Sequence, residues 1–137
     1  MQDTNTENTN NDYSELTLST RVVAMPADTN PDGDMFGGWV LSAMDLAGSL
    51  IAKKIAKGRV VTIGVNSMTF LLPVFVGDTL CCYVKLLKTG NTSITIHIEA
   101  WASRQYESKR VKVTEGVFTY VSIYSNRKPR SITDEYK

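Results

Sequence analysis

The stretch Gly33–Ala52, GDMFGGWVLSAMDLAGSLIA, decides the fold. From Trp39 onward it reads as an almost wholly apolar helix with one acid, Asp45, in its middle. Side chains three and four positions away share its face, and these are Leu41, Ser42, Gly48 and Ser49, none of them a cation. Ionised carboxylates are rarely buried without a partner. The helix is predicted over Gly37–Ala56, with Lys53, Lys54 and Lys57 suiting its C-terminal dipole and Gly58 as the residue that ends it. Apolar residues run round nearly its whole circumference, which predicts a central helix wrapped by other elements.

What wraps it follows in the chain. Before the helix, Glu15–Met25 (ELTLSTRVVAM) alternates well enough for a first strand, and Pro26–Asp34 (PADTNPDGD) is dense in turn residues. After it, strands are predicted near Val60–Leu72, Thr79–Lys88, Ser93–Ser103 and Lys112–Tyr124. They are separated by the short breaks PVFVGD (Pro73–Asp78), KTGN (Lys88–Asn91) and RQYESKR (Arg104–Arg110). One long early helix and then strands joined by turns predicts an α+β fold, an antiparallel sheet curled around a single helix.

A chain of 137 residues supports one domain with a real core. The Asn- and Thr-rich start is expected to be a disordered tail over residues 1–13, with the domain over 14–126 and a C-terminal tail over 127–137. That start lacks the basic and apolar regions of a signal peptide. A formal net charge of +1 gives no reason to expect nucleic acid or an anionic membrane as partner. No apolar run reaches the ~18 residues that span a bilayer. The adjacent Cys81 and Cys82 point to opposite faces of a strand and make no disulfide framework. They are expected to be free packing thiols in a reducing cytoplasm.

Several motifs can be weighed against plain structural roles. Asp28, Asn30, Asp32 and Gly33 imitate the front of a calcium loop, but its twelfth position is Trp39 and Pro31 interrupts the turn, so no metal is expected. His97 shares a strand face with Thr95 and Glu99, opposite Ile94, Ile96 and Ile98, and reads as a half-exposed surface residue. Asn91–Ser93 fits a glycosylation acceptor but comes with no secretory signal. Gly37–Gly38 either allows close packing or opens the first N–H groups of the helix to a ligand oxygen. Asp45 is either satisfied by a distant cation or subunit contact, or is a general base tuned by desolvation and chosen hydrogen bonds. Ser49, one turn on, could orient Asp45 or a water.

One distance constrains any cooperation between these parts. Eight residues of helix separate Gly37 from Asp45, about 12 Å. A donor and a base serving one carbonyl each need to lie within about 3–4 Å of the reacting atoms. If the chain is an enzyme, two antiparallel copies of the helix must share each site.

Three segments together resemble the hot-dog fold acyl-CoA thioesterases of the YciA type. They are AMPADTNPDGDMFGGWVLSAMD (Ala24–Asp45), GRVVTIGVNSMTFLLPVFVGDTLCCY (Gly58–Tyr83) and LKTGNTSI (Leu87–Ile94). The resemblance implies a helix inside a curled antiparallel sheet. It puts the catalytic carboxylate on Asp45, the oxyanion amide on Gly37 with Gly38 beside it, an assisting hydroxyl on Ser49 and a carbonyl-facing amide on Asn30. It pairs Gly37 of one subunit with Asp45 of the other, in a dimer and a trimer of dimers. For the phosphates of coenzyme A it implies Gly90, Thr92 and Ser93 with Arg59, Lys128 and Arg130. At Asn91 the family can carry an arginine, so one charged phosphate contact is expected to be missing.

The implied activity is hydrolysis of acyl-CoA to a carboxylic acid and free CoA. No metal or redox cofactor is implied; coenzyme A enters as part of the substrate. An acyl-thioester hydratase or dehydratase is the alternative enzyme, disfavoured because His97 is misplaced for it. A non-catalytic acyl-CoA sensor is the other alternative. Met35, Phe36, Met68 and Phe70 are expected to line the acyl pocket, whose depth one sequence does not give.

Overall fold

The structure, a computed structural model, describes residues 13–137, so the tail expected over 1–13 lies outside the described residues but for Tyr13. Strand β1 (Thr17–Val23) leads through a single 3-10 turn at Pro26–Asp28 into helix α1 (Gly37–Ala56). Four strands follow: β2 (Val60–Phe70), β3 (Thr79–Thr89), β4 (Ser93–Ser103) and β5 (Arg110–Ser122). They form one antiparallel sheet in the order β1-β3-β4-β5-β2, with α1 packed across it. This is the hot-dog architecture.

The core forms where a period of two meets a period of 3.6. Along β4, Ile94, Ile96, Ile98, Ala100 and Ala102 all turn inward and are fully buried. Against them α1 presents Val40, Met44, Ala47, Gly48, Ile51, Ala52 and Ala56, spaced to fall on one face. Burying a Met or Ile side chain in this way contributes roughly 1.5–3 kcal/mol. Gly48 sits at the tightest point. A Cβ there would lie 2.2 Å from the Tyr120 hydroxyl and 2.5 Å from Ile98 Cδ1. Gly48→Ala is therefore expected to cost about 1–3 kcal/mol by overpacking, despite alanine's better helix propensity. Denaturant unfolding measures it, and a stabilised variant would contradict this packing.

The helix ends differently from the expectation. The left-handed residue is Lys57 (φ 53°), whose N–H bonds the Lys53 carbonyl, and not Gly58. Gly58 is small for another reason: a Cβ there would come within 2.7 Å of Arg130 Nη2 and 2.9 Å of the Tyr136 ring.

Those two contacts belong to a C-terminal segment that is no detached tail. Beyond β5 the chain turns back, with Arg130 N bonding Ser122 O and Ile132 N bonding Asn91 O, at 2.8 and 2.9 Å. Residues 124–137 thus pack on the domain, and the expected boundary near 126 does not mark an end of packing.

One protomer does not wrap its helix completely. Leu46 is 57% exposed and Leu50 39%. Strand β2 is a sheet edge, and it exposes Ile63 (60%) and Phe70 as well. An exposed apolar edge strand is a template for pairing with another chain. The protomer's own sheet therefore covers only part of the apolar circumference of α1. No helix among the described residues is long and apolar enough to cross a membrane.

Candidate active site

Helix α1 begins without a cap. Phe36 holds the N-cap position in an extended conformation (φ −63°, ψ 143°) and offers no side-chain acceptor. Its carbonyl receives the N–H groups of Trp39 and Val40. The N–H groups of Gly37 and Gly38 have no acceptor among the described residues, and they stand at the positive end of the helix dipole. Around Gly38 a Cβ would meet nothing within 4 Å, so close packing does not explain this glycine. At Gly37 the Phe70 ring lies 3.5 Å from where a Cβ would be.

The preceding loop brings Asn30 to the same place. Its Oδ1 accepts the N–H groups of Asp32 and Asp34, at 2.9 and 3.0 Å. With the oxygen held by the turn, the amide Nδ2 remains as a donor. These two acids serve the turn, and among the described residues they join no metal-like cluster. Asn30 and Gly37 line one cleft of about 360 Å³ with Met35, Phe70 and Leu72. Of the expected pocket residues, Met35 and Phe70 thus face this cleft. Phe36 is exposed outside it, and Met68 packs on Gly116 instead.

Asp45 lies in a second cleft, of about 300 Å³, with Gly38, Leu41, Ser42, Thr62, Val65 and Phe118. It is half-buried and forms no ion pair among the described residues. Its partner is the Thr62 hydroxyl, which donates to Oδ1 at 2.7 Å. That bond engages one carboxylate oxygen of a residue that lines the cleft. Ser49, expected to assist, instead donates to its own helix at Leu46 O, 2.9 Å away. Thr62 was not found by sequence reasoning. It lies 17 residues from Asp45, across a register between α1 and β2 that no spacing rule reveals. From behind, the Tyr120 hydroxyl donates to the Asp45 carbonyl at 3.0 Å. Burial, and then the Asp45 charge, push the Tyr120 hydroxyl well above the usual range, so it stays a donor.

The phosphate candidates divide. Gly90, Thr92 and Ser93 form the β3–β4 turn, and Arg59 and Lys128 are exposed beside the same end of β5. Arg130 departs from the expectation. It is 1% exposed, and its guanidinium donates to the carbonyls of Ala56 and Asp134, at the C-terminus of α1 and in the C-terminal segment.

Other reactive groups are accounted for elsewhere. His97 faces away from both clefts, 2.9 Å from Glu99 and 3.5 Å from Glu115. Burial raises the Glu99 carboxyl, but hydrogen bonds from His97 and Trp101 and the Lys112 charge outweigh it and hold Glu99 below its ordinary value. Cys81 and Cys82 are free and buried, and burial pushes the Cys82 thiol up to about 11, the wrong direction for a nucleophile.

An uncapped helix aimed into one cleft, a hydroxyl-held acid in another, and an exposed strand edge suit a hydrolase completed by a second subunit. Comparison with known proteins identifies the family. A model described as "Thioesterase superfamily" matches residues 32–109. A Salmonella typhimurium protein named acyl-CoA thioester hydrolase YciA is 50% identical over 126 residues, covering 90% of this chain and 93% of that one. Among solved structures, a hexameric thioesterase from Yersinia pestis is 52% identical with a TM-score of 0.82, covering 86% of this chain and 97% of its own. A hexameric broad specificity acyl-coenzyme A thioesterase superposes with a TM-score of 0.83 at 46% identity, over 89% and 84%. The chain belongs to the thioesterase superfamily, in its acyl-CoA thioester hydrolase branch.

Proposed function

We infer that the protein is an acyl-CoA thioester hydrolase that converts acyl-CoA and water to a carboxylic acid and CoA, at sites shared between two protomers. The observation carrying this reading is the separation of the uncapped Gly37 amide and Asn30 from Asp45 into two clefts of one protomer, with Gly38 between them on the Asp45 side. The exposed β2 edge supplies the means of joining them. The working assembly is a trimer of such dimers, in line with the hexameric relatives.

In each site the thioester carbonyl oxygen sits against Gly37 N–H of one protomer, with Gly38 N–H and the Asn30 amide beside it. Asp45 of the other protomer, steadied by Thr62, takes a proton from water as that water attacks the carbonyl carbon. Negative charge collects on the oxygen facing the helix N-terminus, where the fixed donors and dipole stabilise it. The tetrahedral intermediate then collapses, the carbon–sulfur bond breaks, and the CoA thiolate leaves to be protonated. Ser49 can join this network only by leaving its bond to Leu46 O. No cofactor is required beyond the CoA in the substrate. Gly90, Thr92 and Ser93, with Arg59 and Lys128, are proposed to hold the CoA phosphates. Two free buried thiols fit a cytoplasmic setting.

Release of free thiol from a panel of acyl-CoAs tests the reading. Turnover with stoichiometric acid and CoA is expected. Tight binding without thiol release would replace it with a sensor role.

A further inference from the structure

The segment after β5 does more than cover the helix end. It grips the β3–β4 turn twice, through Ile132 N to Asn91 O and Ser131 Oγ to Asn91 Oδ1, both at 2.9 Å. Asn91 stays exposed, but its side-chain oxygen is committed to Ser131. The turn is closed on itself by Gly90 N to Ser93 O (2.8 Å) and joined to β5 by Ser122 N to Thr92 O (2.8 Å). What remains unengaged among the described residues is a pair of successive backbone N–H groups, those of Asn91 and Thr92. Adjacent turn amides of this kind form an anion-binding concavity. Arg59 and Lys128 stand exposed at the same end of the sheet. Arg59 O receives Ile123 N, and Lys128 O receives Tyr124 N (2.8 Å).

Arg130 holds the segment in place from below. Its backbone N–H bonds Ser122 O, its guanidinium reaches Ala56 O and Asp134 O, and its charge lies 5.7 Å from the centre of the Tyr136 ring. The absence of a side chain at Gly58 makes room for that guanidinium. Arg130 Nε and Ser122 Oγ are buried there without partners, so the arginine is kept at a desolvation cost rather than for ion pairing.

We propose that residues 124–137 form a strap that sets the β3–β4 turn amides and the Arg59 and Lys128 cations to receive the phosphate end of CoA, with Arg130 as its positioning residue. The proposal rests on the acyl-CoA reading above and adds a specificity device to it. The strap gives the enzyme its preference for thioesters that carry the nucleotide over those that end at pantetheine.

The experiment compares one acyl group on CoA and on pantetheine, with wild type, Arg130→Lys and Arg130→Gln. Losing about one to two hydrogen bonds' worth of positioning corresponds to roughly a 10-fold effect. For Arg130→Gln, KM for acyl-CoA is expected to rise about 10-fold. Its kcat should stay within about two-fold, and kcat/KM for acyl-pantetheine should be unchanged. Arg130→Lys should recover part of the KM. Equal losses on both substrates, or a fall in kcat alone, would make Arg130 merely structural and overturn the proposal. If Arg130→Gln does not fold, Ser131→Ala removes an exposed contact with the turn and is expected to raise KM for acyl-CoA alone by about three-fold; no rise, or the same rise on both substrates, overturns the proposal equally. A wild type that turns over pantetheine and CoA thioesters equally well would also overturn it, whereas a wild type inactive on both fails the underlying reading instead.

Discussion

Asp45→Asn is expected to leave fold and substrate binding intact while lowering kcat at least ~100-fold, the scale for losing a general base. The asparagine oxygen can still accept from Thr62, so the side chain keeps its place with the NH2 turned to the cleft. What is lost is only the capacity to take a proton. KM should change little, because in the proposed site the carbonyl contacts come from the other protomer's amides. Steady-state thiol release and a direct acyl-CoA binding measurement check this together, and near-normal turnover would remove Asp45 from the mechanism.

The second expected result is rescue by mixing. Gly37→Pro deletes the N–H assigned to the oxyanion while respecting the helix, because proline is at home in the first helical position. The preceding residue, Phe36, already has the extended conformation that proline demands. Loss of one such donor costs roughly 100- to 1,000-fold in kcat. Mixed after dissociation, the Gly37→Pro and Asp45→Asn chains form heterodimers in which one of two sites joins an intact Gly37 to an intact Asp45. With random pairing about a quarter of wild-type sites return. A mixture that stays inactive although heterodimers are present would refute site sharing.

The central helix was legible because its signals are local. An apolar run, a glycine pair before it and lysines at its end place Gly37–Ala56, and the structure has those bounds. The strands were legible from alternation, as in Ile94–Ala102. The 12 Å separation along the helix anticipated that one protomer would leave Gly37 and Asp45 apart, and they line different clefts. What escaped depends on long-range register. Thr62 meets Asp45 only because β2 runs back past α1. The resemblance placed Arg130 among the phosphate contacts, whereas here the carbonyls at the end of α1 take its donors. Residues 127–137 read as a tail because their partners, Asn91 and Ala56, are distant in sequence. Lys57 took the left-handed position that Gly58 seemed made for, since Gly58 was constrained by a neighbour that local rules do not include.

The bare start of α1 also sets a limit on how this protein can be hardened. A serine or aspartate at position 36 would follow every rule of helix stabilisation and is worth about 1 kcal/mol in ordinary helices. Its side-chain oxygen would seek the N–H at Gly38 or Trp39. Trp39's is already given to the Phe36 carbonyl, so Gly38's would be taken. The change would raise the melting temperature by occupying a donor that the proposed mechanism uses. Thermostability and turnover are therefore coupled through one peptide group, and selection for heat resistance alone would drift toward a sturdier, slower enzyme.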